Sequence, residues 1–339
     1  MLIRPKAPAR RFRFDGQLLM AGLLLLLIFA VYAWKEHGAL SVTGLTNIAN
    51  DMVVLGVLAV GLTIVLLTGG FDLSAIGVVA LTNVVAATFV RQGTGGALLT
   101  LLLLVLIGAG VGAINGLLVA VVRLQPLATT LATMTVCSGV ALLIMPAPGG
   151  QVSDAIAYGM TGTLGPVPVG LLVLAAVLAL WWVLRRTRFG LSLYAVGTDE
   201  TAAQLSGVRV PATRFFAYTL GGALYGLGGF MLSAITGAGD PRLSNPLLLL
   251  AFAAVAIGGT SFAGGRGSVY GSVLGAGVLS VMQKMLFALG ASAFYTSIFQ
   301  GAMMILAVLF AGASAFLTHR ARQSTKLPAT DQPAPTEPL

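Results

Sequence analysis

The sequence predicts an all-α protein, a polytopic membrane helix bundle of about ten transmembrane helices with both termini in the cytoplasm. Three observations predict it. Only 9% of the 339 residues are charged, against about 25% in a soluble globular protein, so a soluble fold of this length could not cover itself. The mean hydropathy is +0.97, and the apolar residues come in runs long enough to cross a bilayer. The 44 glycines suit helices packed closely in lipid better than a soluble helical protein.

A spanning helix needs roughly 20 apolar residues at about 1.5 Å each. Span 1 covers residues 18–34 and follows Arg10, Arg11 and Arg13, as the apolar core of a signal peptide would. It is long enough to span, and no small-x-small cleavage site follows, so it reads as a retained helix. Spans 2 (52–67) and 3 (73–90) flank a Gly-Gly turn. Span 4 (97–122) carries Gly108, Gly112 and Gly116, two GxxxG steps on one face, a motif for close helix packing. Span 5 (127–145) holds the single cysteine, Cys137, read as a small buried apolar residue. Span 6 covers 169–184, and span 7 (214–235) contains Gly222 and Gly226. Span 8 is 247–257, span 9 (269–289) opens on Gly267, Gly271 and Gly275, and span 10 is 295–317. Spans 2 and 8 have the weakest signals, because glycines interrupt or shorten them. Residues 46–51 and 125–130 are candidates for interfacial or re-entrant pieces.

With ten crossings both ends share a side, and the charges choose it. Fifteen Lys and Arg then fall inside: Arg4, Lys6, Arg10, Arg11 and Arg13 ahead of span 1, seven in internal stretches (Arg123, Arg185, Arg186, Arg188, Arg209, Arg214, Arg266), and Arg320, Arg322 and Lys326 in the tail. Only Lys35, Arg91 and Arg242 fall outside, with Lys284 near the outer end of span 9, where it can snorkel. This is the positive-inside bias of a multi-pass protein of the plasma (inner) membrane. It also accounts for the net charge of +9 without a nucleic-acid partner.

No G-x-x-x-x-G-K-[ST] loop is present, so ATP is not bound here by that route. Two histidines, His37 and His319, stand at opposite ends of the chain, which excludes a histidine metal site or relay. Ion-coupled carriers usually need acids at mid-membrane, whereas Asp51 and Asp72 fall near span ends and the other carboxylates lie in loops or tails. No catalytic residues, metal or cofactor are expected on this chain.

The longest internal loop, residues 185–213, contains a short amphipathic segment at 199–208. Asp199, Glu200 and Thr201 start it, Ala202, Ala203 and Leu205 form a compact face, and Gly207 ends it. Such a helix at the membrane surface suits docking onto a soluble partner. Asp72, before span 3, can cap that helix with help from Ser74. Asn83, Asn115, Gln283 and Gln300 are polar residues within spans, able to tie helices together or line a solute pathway.

The loop resembles the EAA-x-x-x-G coupling loop of bacterial ABC importer permeases, and RTRFGLSLYAVGTDETAAQLSGV is similar to the corresponding segment of the ribose/xylose-type monosaccharide permease family. LTGGFDLSAIG, INGLLVA with RLQPLATTLATM, and AVAIGGTSFAGGRGSVYGSVLGA match that family at the right distances and on the right sides of the membrane, so the resemblance spans roughly residues 47–309, most of the chain. It implies a sugar-transport permease domain over residues 18–317, between a basic segment (1–17) and a Pro-rich disordered tail (318–339). It further implies a separate cytoplasmic ATPase that holds the ATP, an extracytoplasmic solute-binding protein, a second permease copy or paralogue forming a dimer, and a small neutral solute as cargo. By the same resemblance the coupling role falls on Ala202, Ala203 and Gly207. The turn after span 2 rests on Gly69, Gly70, Asp72 and Ser74, and the turn before span 9 on Gly258, Gly259, Gly264, Gly265 and Gly267.

The sequence also departs from the family. Thr201 occupies the motif's Glu position with Glu200 one residue earlier, Ile76 stands where the family has Gly with Gly77 adjacent, and Leu250 replaces a common acid at the start of span 8. A permease of the same superfamily for branched-chain amino acids or nucleosides, or a standalone carrier or channel, is the alternative reading.

Overall fold

The computed structural model describes residues 16–89, 93–242 and 245–291, with isolated positions at 295, 298, 301, 302 and 305. The expectations for the segment before residue 16, for Arg91, for Gln300 and most of span 10, and for the 318–339 tail lie outside the described residues. The helices are α1 (Gly16–Lys35), α2 (Val42–Leu67), α3 (Ala75–Thr88), α4 (Gly93–Ala120), α5 (Pro126–Ile144) and α6 (Asp154–Thr161). Strands β1 (Thr163–Leu164) and β2 (Val167–Pro168) form a small antiparallel hairpin. Helices α7 (Val169–Leu184), α8 (Arg188–Thr198), α9 (Glu200–Leu205), α10 (Val210–Thr236), α11 (Asn245–Ile257) and α12 (Val269–Ala288) follow.

Six helices (α1, α2, α4, α5, α10, α12) are long and apolar enough to cross a membrane, and α7 with α8, bent by 81°, makes a seventh if counted as one span. Helices α3 and α11 are apolar but shorter. At about 1.5 Å per residue, the 14 residues of α3 reach only ~21 Å. The predicted spans 3 and 8 therefore reach only about two-thirds of a ~30 Å hydrocarbon core, each adjoining an irregular turn.

Helix α2 is the axis of the bundle, with 83% of its most apolar window buried; the equivalent windows of α1, α4 and α5 are only 11%, 28% and 22% buried. Those three turn leucines such as Leu26, Leu106 and Leu143 outward, a surface suited to lipid. Two expectations are corrected along α2 and α5. Residues 46–51 are continuous helix within α2, whose N-cap Ser41 accepts a hydrogen bond from the Gly44 N–H. The glycines that blur the sequence signal are packing points: a β-carbon at Gly56 would lie 2.8 Å from Leu174, and at Gly61 2.6 Å from the Tyr225 ring. Residues 126–130 are the first turns of α5, opened by Pro126, where a missing N–H costs nothing.

The GxxxG face of α4 packs on α10 as backbone against backbone. A β-carbon at Gly108 or Gly112 would collide with the carbonyls of Gly222 and Tyr218, and one at Gly116 would lie 2.8 Å from that of Phe215. Gly222 and Gly226 meet α4 in the same way. On α12, Gly271 and Gly275 seat against the Gly258 and Ala254 carbonyls. Gly267 is a correction: it precedes the helix, with φ 154°, and lies against Thr260.

The two ends of the bundle differ. One end carries α6, the β-hairpin, the Gly149–Gly239 bridge and the bond from Asn50 Nδ2 to the Thr161 carbonyl. Near it, Lys284, close to the end of α12, pairs with Asp51 at 2.7 Å; Asp51 is not near a helix end but inside α2. The other end gathers α8, α9 and the turns at 68–74 and 258–268.

Candidate functional site

Between α2 and α3 the chain leaves helical geometry for residues 68–74, yet Thr68, Asp72 and Ser74 are at most 1% exposed. Irregular backbone at membrane depth persists only where the protein satisfies its polar groups. Asp72 Oδ1 accepts from the Ser74 N–H at 2.9 Å and from the Ser74 hydroxyl at 2.5 Å. That hydroxyl accepts from Asn115 Nδ2 at 2.9 Å, and Asn115 Oδ1 accepts from Thr133 Oγ1 at 2.6 Å. Thr130 Oγ1 accepts from the Leu73 N–H, and the Tyr218 hydroxyl donates to the Phe71 carbonyl, each at 3.0 Å. Side chains of α4, α5 and α10 thus converge on one turn.

Asp72 is placed differently from the simple cap expected of it. Ser74 is the N-cap of α3 and makes no side-chain cap bond; Asp72 instead holds Ser74, which joins the turn to α4. Its second oxygen, Oδ2, and the Tyr225 hydroxyl are both buried and face each other, outside strict hydrogen-bond geometry but close enough for the hydroxyl and the carboxylate to interact.

The 68–74 turn also meets the glycine turn at 258–268. The Gly265 N–H donates to the Leu67 carbonyl at 3.1 Å. A β-carbon on Gly264 would lie 2.7 Å from Gly69, and one on Gly265 would crowd Thr198 at the end of α8. Gly69, Gly259, Gly264 and Gly265 all have positive φ, which an L side chain adopts only at a cost. Half-buried Phe71, Phe252 and Phe262 stack around this junction with centroids 6.0–6.1 Å apart.

The 185–213 loop is mostly helical. After the sharp bend at residues 185–187, Thr187 caps α8 and Asp199 caps α9 by accepting from the Ala202 N–H at 2.9 Å. Gly207, at φ 81°, reverses the chain. Helix α8 is additional to the expected pattern, and the compact face is corrected: Ala203 alone is buried, against Val196 and Val210, while Ala202 is exposed and Leu205 is 85% exposed. Thr201 is exposed, and Glu200 Oε2 pairs with Arg214 Nη2 of α10 at 2.7 Å. A cavity of about 380 Å³ separates α9 from the Gly69–Gly70 backbone, with Arg123, Gln204 and Arg214 among its lining residues.

The structure therefore brings Asp72, Ser74 and Asn115 together, and sets Gly69, Gly70, Gly258, Gly259, Gly264, Gly265 and Gly267 in two abutting turns. Asn83 lies elsewhere. It donates to Ser233 Oγ at 2.9 Å and the Ala238 carbonyl at 3.2 Å, and accepts from the Asp240 N–H at 2.6 Å, tying α3 to the end of α10. Gln283 is half-buried on α12. Sequence reasoning missed Thr130, Thr133, Tyr218 and Tyr225. Arg214, Tyr218 and Tyr225 stand at i, i+4 and i+11, one face of a helix, and that spacing is the signal that could have found them.

The described residues thus form a bundle of membrane-suited helices with a buried non-helical break and an adjoining helical surface module. The chain matches the family described as branched-chain amino acid transport system / permease component over residues 44–308, and it belongs to that family as a multi-pass membrane protein. It is 35% identical over 291 residues to the ribose import permease protein RbsC of Escherichia coli (strain K12), an alignment covering 84% of this chain and 90% of the relative. Its identity to RbsC of Bacillus subtilis (strain 168) is 35% over 307 residues, 88% of this chain and 95% of that one. The galactose/methyl galactoside import permease protein MglC of Escherichia coli (strain K12) is 32% identical over 305 residues, covering 84% and 91%. No solved structure matched the chain.

Proposed function

We propose that this chain is the pathway-forming permease subunit of an ATP-binding-cassette importer for a monosaccharide, in the bacterial inner membrane. The observation that carries the reading is the near full-length similarity to two ribose import permeases and a galactose import permease. In this reading about ten apolar helices lie in the membrane, the shorter α3 and α11 crossing only part of it, and both termini are in the cytoplasm. A cytoplasmic ATPase holds the ATP and docks on α9, and an extracytoplasmic binding protein delivers the sugar to a pair of permeases. Exposed Ala202 and Leu205 on a capped, six-residue helix fit such a docking point. The engaged amides of Asn83 and Asn115 fit helix ties better than sugar ligands, leaving Gln283 and Gln300 as the open pathway candidates. A neutral solute agrees with the few charges inside the spans, whereas a branched-chain amino acid, the cargo in the family's description, carries two.

Reconstitution with the cognate ATPase and binding protein tests this. Labelled ribose or galactose is expected to accumulate only with ATP, and leucine not at all. Sugar uptake without ATP or the ATPase would defeat the importer reading, and leucine uptake would replace the substrate. Gly207→Leu forces a side chain into a left-handed conformation at about 1–2 kcal/mol, with open space around it. It is expected to lose ATPase association in pull-down while still inserting; normal association would remove α9 as the docking point.

A further inference from the structure

We infer that the Glu200–Arg214 ion pair and the Tyr218 hydroxyl form a relay carrying the displacement of α9 to the buried turn at residues 68–74. The inference rests on the proposed docking of an ATPase at α9, and it gives Glu200 a partner inside the chain in place of one on the ATPase. Helix α9 is only six residues long, and its attachments are few: the chain on either side, the small cluster of Val196, Ala203 and Val210, and the ion pair at 2.7 Å. Arg214 and Tyr218 stand at i and i+4, so a pull on one is felt on the same face one turn along. Tyr218 is fully buried, and its hydroxyl bonds the Phe71 carbonyl at 3.0 Å, beside Asp72. A β-carbon on Gly70 would come within 2.7 Å of that hydroxyl, so turn and tyrosine move together or clash.

The cavity of about 380 Å³ between α9 and the Gly69–Gly70 backbone supplies room for the stroke. Ion pair and cavity together give α9 both a linkage to the turn and space to travel toward it. The glycine turn at 258–268 rests on the backbone of Leu67 and Gly69 at the start of the same turn, so displacement there reaches α11 and α12. Glu200, Arg214 and Tyr218 are thus positioning residues: none needs to touch the solute.

The test is a charge-swap cycle in the assembled complex in proteoliposomes, reading ATP hydrolysed and labelled ribose and galactose taken up. Glu200→Arg and Arg214→Glu singly are expected to lower solute carried per ATP about fivefold or more, the lower end of coupling between sites. The double swap restores at least half of it. Tyr218→Phe keeps the ring and removes one bond; it is expected to leave ATPase pull-down unchanged and lower transport per ATP about threefold, within the range of one neutral hydrogen bond. If the wild type binds no ATPase or needs no ATP, the proposed function fails and the relay with it. If the wild type couples but the swap gives no rescue, or Tyr218→Phe couples normally, the relay alone is overturned.

Discussion

Gly112→Leu is expected to prevent the bundle from assembling, whereas Gly110→Leu, two residues away on the same helix, is expected to be silent. The contrast follows from what each α-carbon faces. A β-carbon on Gly112 would overlap the Tyr218 carbonyl and lie 3.1 Å from the Gly222 α-carbon; one on Gly110 meets nothing within 4 Å. Overpacking against side chains typically costs 1–3 kcal/mol, because rotamers give way. Backbone cannot give way similarly, so the cost at Gly112 should exceed about 3 kcal/mol. Separating α4 from α10 also pulls Asn115, three residues along α4, off Ser74. Size-exclusion chromatography in detergent checks this: Gly112→Leu should be lost as aggregate or degraded before purification, with Gly110→Leu monodisperse. Equal yield and equal thermal midpoint for the two variants would show that the α4–α10 contact does not hold the bundle.

Close packing on that face of α4 was legible in the sequence, because three glycines at four-residue spacing strip one face of an apolar helix down to backbone, and a second backbone fills that groove best; that α10 is the partner was not. The spans were legible for the same kind of reason. Hydropathy reports what a long segment prefers, and span 6 coincides with α7 to the residue. What could not be read was where apolar helix stops being spanning helix. Residues 73–90 look like one crossing, but Asp72 and Ser74 are drawn into the protein by Asn115, 41 positions from Ser74, and α3 is short as a result. A carboxylate in lipid is costly, which argues for Asp51 at a helix end. Its place inside α2 is stabilised instead by Lys284, a partner from the far end of the chain that local pattern cannot reveal. At α9 the caps were legible because Asp199 and Gly207 act on their own backbone. The inward face was not, since a six-residue helix is too short for periodicity to tell Ala203 from Ala202.

Asp72→Ala is expected to dismantle the break between α2 and α3, and Asp72→Asn to preserve it. The alanine leaves the Ser74 N–H without its acceptor and frees the Ser74 hydroxyl, which now receives Asn115 Nδ2 and donates to Asp72. Each buried donor left unpaired costs about 1–3 kcal/mol, and the network spans α3, α4 and α5, so losses at two or more of its bonds compound. Asparagine retains an acceptor at the Oδ1 position. Its new N–H₂ replaces Oδ2 and can donate to the Tyr225 hydroxyl that this oxygen faces. The amide therefore removes a charge from a site only 1% exposed while keeping the geometry of the turn. Thermal unfolding in detergent should separate the variants, with Asp72→Ala several degrees or more below wild type and Asp72→Asn at or above it. Proteoliposome uptake distinguishes structure from charge. Transport by Asp72→Asn at near the wild-type rate assigns Asp72 to holding the turn. A variant that is folded and stable but inactive would mean that the carboxylate itself takes part in passage of the solute.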